Sequence, residues 1–116
     1  MNNIKLMVKN AVTGLEDKKG EDIQIIDISN VSPISDYFVI ASGSNRNQVQ
    51  AMADAVEENM HKNGFHLKQV EGYDSANWIL MDFVDIVVHI FDHESRSFYD
   101  LERIWSDGTI VQRIES

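Results

Sequence analysis

The chain has 116 residues, of which 43% are hydrophobic and 25% charged, a balance that describes one folded domain and not a disordered segment. Cysteine is absent, which excludes disulfide scaffolds, thiolate zinc sites and thiol nucleophiles together. Ten basic against nineteen acidic residues leave a net charge of −9, which opposes direct binding to nucleic-acid phosphates and favours a basic protein partner. Nor does any run approach the ~20 apolar residues that span a bilayer, so a cytoplasmic protein with no membrane segment is expected.

Ile4, Val8, Ala11 and Leu15 recur at helical spacing and predict a first helix, stopped near Gly20. Asp22 to Ser29 reads as a strand ending at the turn that holds Pro33, the only proline. Tyr37-Phe38-Val39-Ile40-Ala41 is almost wholly apolar, as expected of a central strand covered on both faces. After Ser42-Gly43-Ser44-Asn45, which supply cap residues, Val49, Met52, Ala53, Val56 and Met60 form the apolar stripe of a second helix. Phe65 to Val70 is then predicted as a strand parallel to the preceding one, through a right-handed crossover.

Two further strands, Trp78 to Phe83 and Ile86 to Phe91, flank Val84-Asp85 as an antiparallel hairpin. A last helix over Glu94 to Trp105 would place Phe98, Leu101, Ile104 and Trp105 on one buried face. The sum is a single α/β (α+β) domain over residues 1–116, with a mixed five-stranded sheet packed with helices.

A two-residue turn at Val84-Asp85 puts Asp82 opposite Val87, Leu80 opposite His89 and Trp78 opposite Phe91. One hairpin face is then entirely apolar: Ile79, Met81, Phe83, Ile86, Val88 and Ile90. The other carries Trp78, Leu80, Asp82, Val87, His89 and Phe91, and an unpaired carboxylate there is costly to bury. Two readings follow. Asp82 and His89 pair with each other or with the last helix in a covered layer, or the face is open and contacts a partner through its aromatic groups.

Enzymatic readings have less support. Gly43-Ser44 after a strand is reminiscent of metal-dependent nucleotidyltransferases, but no pair of carboxylates on alternate residues of one strand follows it, as two-metal chemistry requires. His89, Asp92, His93 and Glu94 are metal-ligand types whose spacing does not make them converge, and His61 and His66 belong to no motif. With no P-loop, dinucleotide fingerprint or nucleophile elbow, neither a catalytic residue nor a cofactor or metal ligand is assigned.

Five blocks carry a longer signal: Asp36 to Gly43, Glu71-Gly72, Trp78 to Asp82, Asp85 to Phe91, and Arg96 to Glu102 followed by Trp105. Together they resemble the ribosomal silencing factor family, also called Iojap or RsfS, from the first helix to Trp105. The resemblance implies a non-enzymatic translational repressor with a nucleotidyltransferase-like fold that lacks catalytic residues. Such a factor binds the large ribosomal subunit through ribosomal protein L-fourteen and sterically blocks joining of the small subunit, as under nutrient limitation; a homodimer and a part in ribosome biogenesis are also implied. The partner-binding residues expected here are Trp78 and Phe91 as aromatic anchors, Asp82 and Glu102 as acceptors for basic side chains, His89 as a polar contact, and Leu80 and Tyr99 beside them. Val84 departs from the family pattern, which usually has glycine before Asp85, and a valine is ill suited to a left-handed turn.

Overall fold

The computed structural model describes residues 3–30, 32–33, 35–101 and the strand at 109–111. In chain order the elements are α1 (Ile4–Asp17), β1 (Glu21–Asp27), β2 (Tyr37–Gly43), α2 (Arg46–Lys62), β3 (Gln69–Glu71), β4 (Trp78–Asp82), β5 (Ile86–Asp92), α3 (His93–Tyr99) and β6 (Thr109–Val111).

Both long helices form where the apolar period of the sequence places them. Helix α1 buries Met7, Val8, Ala11 and Leu15, and α2 buries Val49, Met52, Ala53, Val56 and Met60. The start of α2 is fixed twice. Asn45 Oδ1 accepts from the Gln48 N–H at 2.8 Å, while Gln48 Oε1 accepts from the Ser44 N–H and hydroxyl. The Gln48 amide nitrogen then donates to the Lys18 and Lys19 carbonyls, tying the entry of α2 to the end of α1. Ser44 and Asn45 are thus the turn and cap residues that their types suggest.

The sheet runs β3-β4-β5-β2-β1-β6, with β2 and β5 parallel and every other pair antiparallel. All five strands of the expected mixed sheet are present, and the short β6 adds a sixth beside β1. As expected, β2 is central.

One expected pairing is corrected. The third strand is confined to Gln69–Glu71 and lies antiparallel to β4 at the sheet edge; the parallel partner of β2 is β5. Burial explains the exchange. All of Ile86 to Phe91 is buried, whereas Gln69, Val70 and Glu71 are exposed, so the strand able to lose water on both faces takes the central place. The crossover from β2 through α2 is therefore completed two strands later.

The last helix is also corrected. Among the described residues α3 spans His93–Tyr99 and is broken at Asp100, which adopts a left-handed conformation (φ 48°) with its N–H on the Arg96 carbonyl, and Leu101 is helical again. Leu101 is buried as expected, but Phe98, expected in the core, is 80% exposed. Arg96 accounts for this. Its guanidinium donates to Ser42 Oγ and to the Asp22 carbonyl, which holds that side of α3 against β1 and β2. Phe98, about 200° further round the helix, is left facing away. Ile104 and Trp105 lie outside the described residues.

Candidate functional site

Strand alternation gives the sheet two unlike faces. α1 and α2 both cover the first, burying Ile25, Val39, Ala41, Ile79, Met81, Ile86, Val88 and Ile90 in the main core. The second face has a smaller cluster of Ile26, Ile28, Ile40, Phe91 and Leu101, with Phe38 and Trp78 packed against it. Towards β4 and β3 this face opens: Trp78, Leu80 and Asp82 are partly exposed, and Glu71, opposite Leu80, is exposed.

The hairpin register is the one the sequence predicts, with Trp78 opposite Phe91, Leu80 opposite His89 and Asp82 opposite Val87. It brings Trp78, His89 and Phe91 together and adds Tyr99 from α3. The Trp78 ring stacks on Phe91 at 5.1 Å between centroids and meets Tyr99 at 4.7 Å. Tyr99 is 42% exposed, whereas Phe91 is fully buried. Phe91 is thus the floor beneath Trp78 and Tyr99, and a partner approaching this face meets the latter two.

His89 is also interior, at 3% exposure. Its Nδ1 accepts the Trp78 indole N–H at 3.0 Å, so the proton of the neutral ring resides on Nε2. That nitrogen is buried with no hydrogen-bond partner among the described residues. Phe38 packs against the ring edge-on at 4.5 Å. Burial holds the imidazole neutral and lowers its pKa to about 3. His89, expected as a polar contact, therefore orients Trp78 from beneath the surface.

Asp82 and His89 do not pair with each other. Asp82 Oδ1 accepts from the Val84 N–H at 2.8 Å, capping the turn, and the residue is partly exposed. Asp85 donates to the Phe83 carbonyl across Val84, and Ser35 Oγ donates to the Val84 carbonyl at 2.9 Å. These contacts hold Val84 at φ 75°, a left-handed conformation that a β-branched residue rarely adopts.

Sequence reasoning missed Phe38 and Ser35. The signal for Phe38 was its alternation with Ile40 on β2, which only the parallel pairing with β5 places beside His89. Glu102 lies outside the described residues. The other charged groups have separate tasks: Asp92 Oδ1 caps α3 through the Ser95 N–H, and His93 Nε2 lies 3.2 Å from Glu21 Oε1. Among the described residues no three His, Asp or Glu side chains converge as a metal centre would need, and no helix is long and apolar enough to cross a membrane.

The family model described as ribosomal silencing factor during starvation matches residues 1–116. The chain belongs to the ribosomal silencing factor family. It is 40% identical to the ribosomal silencing factor RsfS of Bacillus subtilis over 94% of this chain and 92% of that one. Against the RsfS of Halalkalibacterium halodurans the identity is 37%, over 88% and 87%. A crystal structure of a Chromobacterium violaceum protein superposes with a TM-score of 0.88 at 34% identity, covering 91% of this chain and 88% of that one. A Bacillus halodurans structure gives 0.82 at 34% identity, covering 92% and 97%.

The turn is strained at Val84, where a glycine would have no side chain to oppose the positive φ. Val84 is 51% exposed, so replacing it loses little burial. Val84→Gly should raise stability by about 1 kcal/mol, relief of strain outweighing the greater entropy of a glycine in the unfolded chain. A urea titration in which the variant unfolds at the same or a lower midpoint would overturn this account of the turn.

Proposed function

We propose that the protein binds the large ribosomal subunit through ribosomal protein L-fourteen and, by occupying the surface where the subunits meet, prevents the small subunit from joining. It thereby represses translation without catalysis, acting in the cytoplasm as when nutrients are limiting. The observation that carries this reading is the family match over residues 1–116, and the open aromatic and acidic face supplies a physical means. Trp78 on β4 and Tyr99 on α3 offer adjoining apolar area, while Asp82 and Glu71 add charge suited to a basic partner. Leu80 lies between them, and Phe91 and His89 act from below. Glu102 and homodimerisation belong to the same proposal. So does a part in ribosome biogenesis, supported by a mouse relative named mitochondrial assembly of ribosomal large subunit protein 1, 32% identical over 82% of this chain and 43% of its own length.

The test is co-sedimentation with separated large subunits, small subunits and joined ribosomes. Binding to free large subunits alone, with a fall in joined ribosomes, is the expected result; equal binding to both subunits or to neither would refute it. Asp82→Asn is the informative variant, because its amide oxygen still accepts the Val84 N–H. It should leave stability within about 0.5 kcal/mol of the original and weaken large-subunit binding by about 1 kcal/mol or more. Asp82→Lys removes the turn cap as well as the charge, so it lowers both stability and binding. Unchanged affinity in Asp82→Asn would remove that carboxylate from the interface.

A further inference from the structure

His61 lies in the last turn of α2 and His66 five residues later, and the chain between them reverses by a defined route. Gly64 takes φ 87°, its N–H donates to the His61 carbonyl at 3.1 Å, and the Phe65 N–H donates to the Met60 carbonyl at 2.9 Å. These two crossed bonds form a Schellman motif. Phe65 is partly buried against the main core, which contains Met60, so the reversal is anchored by packing as well as by hydrogen bonds. Its consequence is that both exposed imidazoles meet, with Nδ1 3.1 Å from Nδ1 and ring centroids 4.9 Å apart.

The geometry points to a two-histidine chelate for a first-row divalent cation such as Cu²⁺, Ni²⁺ or Zn²⁺, held between His61 Nδ1 and His66 Nδ1. Two nitrogens at metal–nitrogen distances of 2.0–2.1 Å stand about 2.9 Å apart when the angle at the metal is 90° and about 3.3 Å apart when it is tetrahedral. The observed 3.1 Å falls between these limits. Without metal, the same separation suits one Nδ1–H donating to the other Nδ1. On binding, that ring moves its proton from Nδ1 to Nε2 through water, so both Nδ1 lone pairs coordinate and no net proton is released. Fixing both ligands on one folded turn makes the second bond intramolecular, which is what separates a chelate from two independent surface histidines. No third His, Asp or Glu joins them among the described residues, so water or a group from another molecule completes the coordination. Imidazole ligands select the later first-row ions and disfavour Mg²⁺, which prefers oxygen.

The experiment titrates the untagged full chain with NiCl₂, CuCl₂, ZnCl₂ and MgCl₂ by calorimetry, and compares His61→Ala, His66→Ala and His93→Ala. The expected result is one equivalent of Cu²⁺, Ni²⁺ or Zn²⁺, with Cu²⁺ tightest and Mg²⁺ silent. Affinity should fall about ten-fold or more in each of the first two variants and stay unchanged in His93→Ala. Both side chains are exposed, so these variants fold, and thermal melts give a second readout: Ni²⁺ raises the midpoint of the original protein but not of His61→Ala or His66→Ala. Binding as tight in either variant as in the original, or loss of binding in His93→Ala, would overturn the chelate.

Discussion

Gly72→Ala should destabilise the protein by about 3 kcal/mol or more, enough to shift its melting temperature by well over ten degrees. Gly72 sits at φ 79°, and a Cβ built there would overlap the carbonyl oxygen of Trp78, a backbone atom that cannot swing aside. Gly64→Ala is the internal control. Gly64 has a similar φ of 87°, but a Cβ there meets nothing within 4 Å, so only the backbone penalty of about 1 kcal/mol applies. Urea midpoints of the two variants separate the overlap from the conformational cost, and equal losses would show that the overlap is relieved cheaply. Because the displaced atom belongs to Trp78, Gly72→Ala should also weaken large-subunit binding.

Acid should destabilise the protein through His89. Its folded-state pKa of about 3 lies below the ordinary value of 6.5, so between these limits the unfolded chain binds a proton that the folded chain refuses. Stability due to this residue is complete above about pH 6.5 and is lost as pH falls, at up to about 1.4 kcal/mol per pH unit, or about 2 kcal/mol between pH 7 and pH 5. His89→Asn keeps an acceptor near Nδ1 for the Trp78 indole and cannot be protonated. It begins less stable, because the smaller side chain leaves space in a packed layer. Denaturant titrations at pH 7, 6 and 5 should show the gap between the two proteins narrowing by about 2 kcal/mol, all other titrating groups being common to both. A constant gap would mean that His89 takes up its proton without leaving the folded interior.

Much of this fold could be read from residue order, for reasons that differ between elements. The hairpin of β4 and β5 was legible because the period of two and the Val84-Asp85 turn jointly determine its register. α2 was legible from its apolar stripe and from the cap residues before it. The pairing of β3 was not, because a crossover rule applied to the next strand in sequence ignores competition for the central place. That competition was visible in the residues themselves, since Ile86-Val87-Val88-His89-Ile90-Phe91 is far better suited to losing water than Gln69-Val70-Glu71.

Of the candidate site, the face was legible and its depth was not. Trp78, Leu80 and Asp82 lie near the surface as expected. Phe91 lies beneath it because Ile26, Ile28 and Leu101 arrive from distant parts of the chain, and His89 because Phe38 and Trp78 pack on its ring; no local pattern announces these arrivals. Likewise Phe98 and Leu101 share a helical spacing, yet the Arg96 anchor turns Phe98 outward and the left-handed Asp100 breaks the helix before Leu101, which is buried.

The parallel pairing of β2 with β5 imposes a delay on the newborn chain. Tyr37 meets Ile86, about fifty residues later, and at synthesis rates of about 5–20 residues per second that interval is roughly 2–10 s. For that time the apolar strand Tyr37–Gly43 has emerged with β1 available for one edge and nothing yet for the edge that β5 will take. An unpaired edge of this composition can pair with any neighbouring strand of the same kind. The protein therefore passes through its greatest risk of aggregation before its sheet is complete, and only translation past Phe91 brings that interval to a close.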